Sequence, residues 1–158
     1  MRSKLPLLMV TGLAVVSLAS AAQHAGFQLL SAQEYQSELS ARATPGARLT
    51  LKAADFDAPA ITVVKPDRSA PIQAPVDIDV HFKAAQGASV NIGSLKIMYG
   101  FLKLDITRRI LGAPGVEVTP AGLKANGARL PSGSHKLAIE VADNIGRIAR
   151  QPLEFTVK

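Results

Sequence analysis

Lys136-Leu137-Ala138-Ile139-Glu140-Val141-Ala142 decides how the rest of this chain reads. A strand repeats its side chains every two residues, so Leu137, Ile139 and Val141 share one apolar face and the residues between them share the other. A second alternating run, Leu153-Glu154-Phe155-Thr156-Val157-Lys158, closes the sequence with Leu153, Phe155 and Val157 inward. Asp143-Asn144-Ile145-Gly146 lies between them, where Asp or Asn can bond its own backbone and Gly can take a positive φ. Pro131-Ser132-Gly133-Ser134 reads as another turn ahead of the first strand. The last third of the chain is thus a turn, a strand, a hairpin and a strand.

The same alternation recurs upstream. Val76-Asp77-Ile78-Asp79-Val80-His81-Phe82 is its cleanest instance, with the four apolar residues toward a core and Asp77, Asp79 and His81 outward. Burying all four stabilises by about 1.5 to 3 kcal/mol each, which makes this strand an anchor of its sheet. Ile61 to Val64 is a strand stopped by Pro66, and a Pro there suits an edge. Residues 85–91 read as a loop and residues 95–99 as a strand broken by Gly100. The period of residues 101–111 is ambiguous. Leu102, Leu104 and Ile106 fit a strand, and Leu102, Ile106 and Ile110 fit a helical face; we expect a strand to about Ile106 and then a short turn. Val116 to Thr119 and Gly122 to Arg129 supply further strands. About seven short strands with turn signals between them make an antiparallel β-sandwich.

Leu130-Pro131-x-Gly133-x-His135, the alternating strand, Asp143-x-x-Gly146-Arg147 and Phe155-Thr156-Val157 resemble the last two strands of bacterial immunoglobulin-like domains. The resemblance covers residues 59–158 as a pattern and is specific only over the final strands. It implies an all-β, immunoglobulin-like sandwich of the kind found in exported proteins as spacer or adhesive modules. It implies a fold more firmly than a function, because such sandwiches host many. The chain lacks the Cys pair and the Trp of antibody-type domains. A core of Ile, Val and Leu has to suffice, which about a hundred residues allow.

Met1-Arg2-Ser3-Lys4, the apolar run Leu5 to Leu18 and Ala19-Ser20-Ala21 are the three parts of a secretory signal peptide. That run is shorter than the roughly 20 residues a membrane span needs. Residues 1–21 are therefore expected to be removed, 22–58 to form an N-terminal segment and 59–158 the sandwich, in the periplasm or outside the cell. The chain contains no Cys, which excludes a disulfide framework and thiolate metal sites. Two of its 18 basic residues fall in the leader, leaving a net charge of +4 out of +6. The basic residues are scattered, so nucleic acid is not an expected partner.

Within the N-terminal segment, Ser31 and Glu34 have the spacing of a capping box, with Leu30 and Tyr35 at the staple positions. A helix is expected over residues 32–41, ended by Pro45-Gly46. Ten residues are marginal as an isolated helix, so this one either packs on its own domain or serves as a docking peptide for a partner. Residues 43–59 read as a linker.

Candidate chemistry is sparse. His81 with Asp77 and Asp79 forms a polar row, but ligands spaced about 6.6 Å along a strand do not close on one ion, so a solvated face is the reading. Cleavage after Ala21 would leave Ala22-Gln23-His24, whose amine, backbone nitrogens and imidazole can hold copper or nickel in a square plane. Periplasmic copper carriers resemble this arrangement, with a small sandwich and an N-terminal His, but the further histidines and methionines expected of them are lacking. Ser132-Gly133-Ser134-His135 has no nucleophile elbow, and Asp105, Glu140 and Asp143 form no evident acid–base pair. Asp143 reads as the residue that closes its turn, and Arg147 as a surface residue after it. Catalysis and a bound cofactor are not expected. The leading expectation is a non-enzymatic module that binds an envelope protein or polymer, or serves as a structural domain. Its expected contact surface is Tyr99, Lys103, Arg108 and Arg109, around the sole adjacent Arg pair of the exported chain. The alternative is a periplasmic copper carrier that uses Ala22, Gln23 and His24.

Overall fold

The computed structural model describes residues 26–45 and 52–158. The leader, the Ala22-Gln23-His24 metal candidate and residues 46–51 lie outside the described residues. Nine strands and two helices follow in order: β1 (Phe27–Gln28), α1 (Ala32–Arg42), β2 (Ala60–Lys65), β3 (Val76–Lys83), β4 (Val90–Tyr99), β5 (Leu104–Asp105), α2 (Thr107–Leu111), β6 (Val116–Thr119), β7 (Gly122–Arg129), β8 (Gly133–Asp143) and β9 (Ile148–Val157).

Two sheets result. In the first, β2, β3, β7 and β6 lie side by side, and the two residues of β1 pair parallel to the end of β7. The second has the order β5-β4-β8-β9. Apart from β1, the named strands pair antiparallel. Strands two, three, six and seven in one sheet and four, eight and nine in the other is the constant-type immunoglobulin connectivity. The protein is an all-β, immunoglobulin-like sandwich of seven principal strands preceded by a short helix.

The alternating runs do what their period requires. Val76, Ile78, Val80 and Phe82 of β3 are buried, as are Leu137, Ile139 and Val141 of β8 and Leu153, Phe155 and Val157 of β9, all in one cluster. The hairpin between β8 and β9 closes as its residues suggest. The Asp143 carboxylate accepts the N–H groups of Ile145 and Arg147 at 3.1 and 2.9 Å, and Gly146 takes φ +87.

Some boundaries differ from the sequence expectation. β8 begins at Gly133, so Ser134 and His135 belong to the strand rather than to the turn before it. His135 shares the parity of Leu137 and is buried with it. β4 begins at Val90, inside the expected loop, and its register slips between Asn91 and Lys96, which broke the alternation there. The ambiguous stretch splits: β5 spans two residues and α2 starts at Thr107, with Ile106 and Ile110 both buried. Arg147 is no free surface cation, because its Nε lies 2.6 Å from the buried Asp143 carboxylate.

The β9 edge is blunted. Ile72 bridges to Val157 at one end of β9, and Asp55 bonds the backbone of Ile148 at the other. Between them Pro152 stands opposite Ala138. The continuous register places Pro152 at an outward-facing position like Ile148 and Thr156, where it has no N–H to offer a foreign strand.

Candidate functional site

The N-terminal segment is bound into the sandwich, and this decides what surface remains free. Ser31 and Glu34 form the full capping box, with the Glu34 backbone N–H donating to the Ser31 hydroxyl and the Ser31 N–H to the Glu34 carboxylate. Below the cap, Leu29 and Leu30 are wholly buried, and Leu29 N–H donates to the Arg129 carbonyl at 3.0 Å. Tyr35 packs its ring 5.1 Å from that of His135. Of the two roles open to α1, packing on its own domain is the one observed.

The anchor is Glu38. This residue is 1% exposed, and its carboxylate accepts the N–H groups of Phe101 and Leu102 at 2.6 and 3.1 Å. The turn after β4 makes these amides converge because Gly100 adopts φ +67; a Cβ there would run into the carboxylate itself. Arg42, one helical turn on, completes the receptor with its Nε at 2.7 Å. Two amides and a guanidinium thus hold one buried carboxylate, the kind of arrangement that offsets its lost hydration.

Tyr99 and Arg109 serve this packing: Tyr99 is interior, which corrects its expected place on a binding surface, while Arg109 stays exposed but is committed to Glu34 and Leu29. Tyr99 is 1% exposed, and its hydroxyl lies 2.7 Å from His135 Nδ1. The other ring nitrogen, Nε2, faces the Pro131 carbonyl at 2.8 Å. A carbonyl only accepts, so Nε2 carries the proton and Nδ1 accepts from the tyrosine. Burial holds the His135 imidazole below its ordinary pKa and pushes the Tyr99 phenol up. Both residues are satisfied interior groups. Arg109 grips Glu34 with both terminal nitrogens, at 3.0 and 2.7 Å, and donates to the Leu29 carbonyl at 2.7 Å. Its guanidinium draws the Glu34 pKa down to about 2.

Lys103 and Arg108 are the exposed cations of the expected group that pair with no carboxylate among the described residues. Lys103 sits at φ +50 on the turn leading to β5. On either side of it Leu102 and Leu104 are exposed, and with Glu34, Ser37, Glu38 and Tyr99 they line a groove of about 210 Å³ between α1 and the turn. Two exposed leucines and two cations thus occupy one end of the sandwich, beside a helix that is already docked.

Other candidate chemistry is not assembled. On β3 the side chains of Asp79 and His81 lean together, with Oδ1 and Nε2 3.2 Å apart, closer than strand spacing suggested. Asp77 turns away to the Gly127 N–H and Lys65. No group of three metal-ligating side chains occurs among the described residues.

No family model matches the chain. No curated protein matches it either. Among solved structures it is similar to CopC from Methylosinus trichosporium OB3b, at 18% identity and a TM-score of 0.39, over 63% of this chain and 94% of that one. Strand order and register, not this likeness, make the domain an immunoglobulin-like sandwich.

Proposed function

We propose that the protein is an exported, non-catalytic immunoglobulin-like module of the bacterial type, which binds an acidic protein or polymer of the cell envelope. The contact surface in this reading is the end that carries Leu102, Lys103, Leu104 and Arg108. One observation carries it: these side chains stay exposed while Glu34, Glu38, Arg42 and Arg109 are used up in docking α1 and the neighbouring Asp105 carboxylate accepts the Thr107 N–H. Apolar side chains beside unpaired cations offer both contact area and a sign preference, so an acidic partner with an apolar strip fits. Recognition then needs no catalytic group, and of the described histidines His135 is buried and satisfied while His81 meets Asp79 on a strand face.

A photo-crosslinking residue in place of Leu102 should capture an envelope component in living cells, and the same residue in place of Glu117 on the far sheet should not. The Lys103→Glu, Arg108→Glu double variant, which spares the Arg109 anchor, should abolish capture at position 102. Identical adducts in both backgrounds would remove the support.

A further inference from the structure

The opposite end of the sandwich presents a separate apolar feature. Phe56 is 89% exposed and Ile145 is 66% exposed, the two largest exposures among the large hydrophobic side chains described. They stand on neighbouring turns, residues 55–58 and 143–146, joined through Ile148. Asp55 donates its N–H to the Ile148 carbonyl at 3.0 Å, its carboxylate accepts the Ile148 N–H at 2.9 Å, and Ala58 N–H closes the turn on the Asp55 carbonyl at 3.2 Å. Asp143 fixes the other turn, and Asn144 N–H adds a bond to the Ser89 carbonyl at 2.9 Å.

Each apolar side chain is thus held out by a backbone that its preceding aspartate has immobilised. The two turn backbones are therefore fixed before contact, and their ordering is not left to lose on binding. The aspartates leave little charge behind. Asp55 is bonded to Ile148 and Asp143 is paired with Arg147, so the exposed charges on the described segments flanking the tips are Lys52, Asp57 and Lys83, a net of one positive charge. A turn tip is convex. A protein partner would have to supply a pocket for each tip, whereas the interfacial layer of a bilayer accepts convex apolar groups without a shaped cavity and tolerates a single excess cation beside them.

We infer that Phe56 and Ile145 dip together into a lipid surface, as a peripheral and reversible contact independent of the binding end described above. No described helix is long and apolar enough to cross a membrane.

The chain has no Trp, which makes Phe56→Trp a clean local reporter. Its emission should shift to the blue and be quenched by lipids labelled near the headgroup when phosphatidylcholine vesicles are added, and added phosphatidylglycerol or salt should change this little. Ile145→Ser on that background should weaken partition at least about fivefold, with an unchanged circular dichroism spectrum. Ile145→Trp alone should report the same contact. No shift in either Trp variant overturns the inference. So does a shift that needs phosphatidylglycerol and vanishes in salt, which marks adsorption by charge, or one that appears without lipid as protein concentration rises, which marks a second copy on the tips.

Discussion

The Glu38 carboxylate accepts the Phe101 N–H at 2.6 Å across 63 positions of sequence, and through that bond the N-terminal helix becomes part of the sandwich. Arg42 and the Leu102 N–H share the same carboxylate, so the site loses all its partners together when it is removed. Glu38→Ala should cost about 2 to 3 kcal/mol in urea unfolding, the range for a hydrogen-bonded buried charge. Glu38→Gln, which keeps the acceptor oxygen, should cost less. Gly100→Ala should resemble Glu38→Ala, because the added methyl occupies the space of the carboxylate.

Removal of residues 22–45 tests the same docking on a larger scale. Leu29, Leu30 and Tyr35 would leave the core together, and each large apolar side chain accounts for about 1.5 to 3 kcal/mol of burial. The truncated chain should melt far below the full one or fail to fold. An unchanged melting temperature would mean that the segment is free to serve a partner.

His135 makes stability depend on pH in a defined direction. Its ring faces Tyr35, Tyr99 and Phe155, and Arg42 adds a repulsive charge, so the folded state disfavours protonation. The unfolded chain takes up that proton near pH 6.5. Stability is therefore complete above pH 6.5 and falls as pH drops below it, by at most about 1.4 kcal/mol per pH unit. His135→Gln should flatten the urea midpoint between pH 7.5 and 5.5. Glu34 acts lower down: held near 2 by Arg109 against an ordinary 4.5, it contributes above pH 4.5 and loses that contribution as pH falls toward 2.

At the heart of the first sheet, Ile78→Ala should cost about 2 to 5 kcal/mol, and Ile78→Asp should prevent folding. Thermal unfolding of the purified variants reads both. Asp77→Ala, on the outer face of the same strand, should cost much less.

The parts legible in the sequence were those whose signal is local. β3, β8 and β9 alternate cleanly because one face is buried throughout, and the capping box of α1 is written in four residues. Parity also carried information about the candidate site. Tyr99 follows Leu95 and Ile97 at intervals of two, and His135 precedes Leu137 by two, so both were already on inner faces. The fate of Arg109 was not legible, since its partner Glu34 lies 75 positions away and nothing local distinguishes a docked arginine from a free one. Glu38 is similar: a carboxylate at helical spacing from Arg42 reads as a surface pair until a distant turn closes over it.

The most direct measurement is an NMR spectrum of residues 22–158, with cross-peaks between the Tyr35 and His135 rings and the exchange rates of the Phe101 and Leu102 amides. The docked segment predicts contacts between the α1 tyrosine ring and the β8 histidine ring, and amides that exchange slowly, as protected as those of β8. A Tyr35 ring with coil-like shifts, or fast exchange at Phe101 and Leu102, would contradict it.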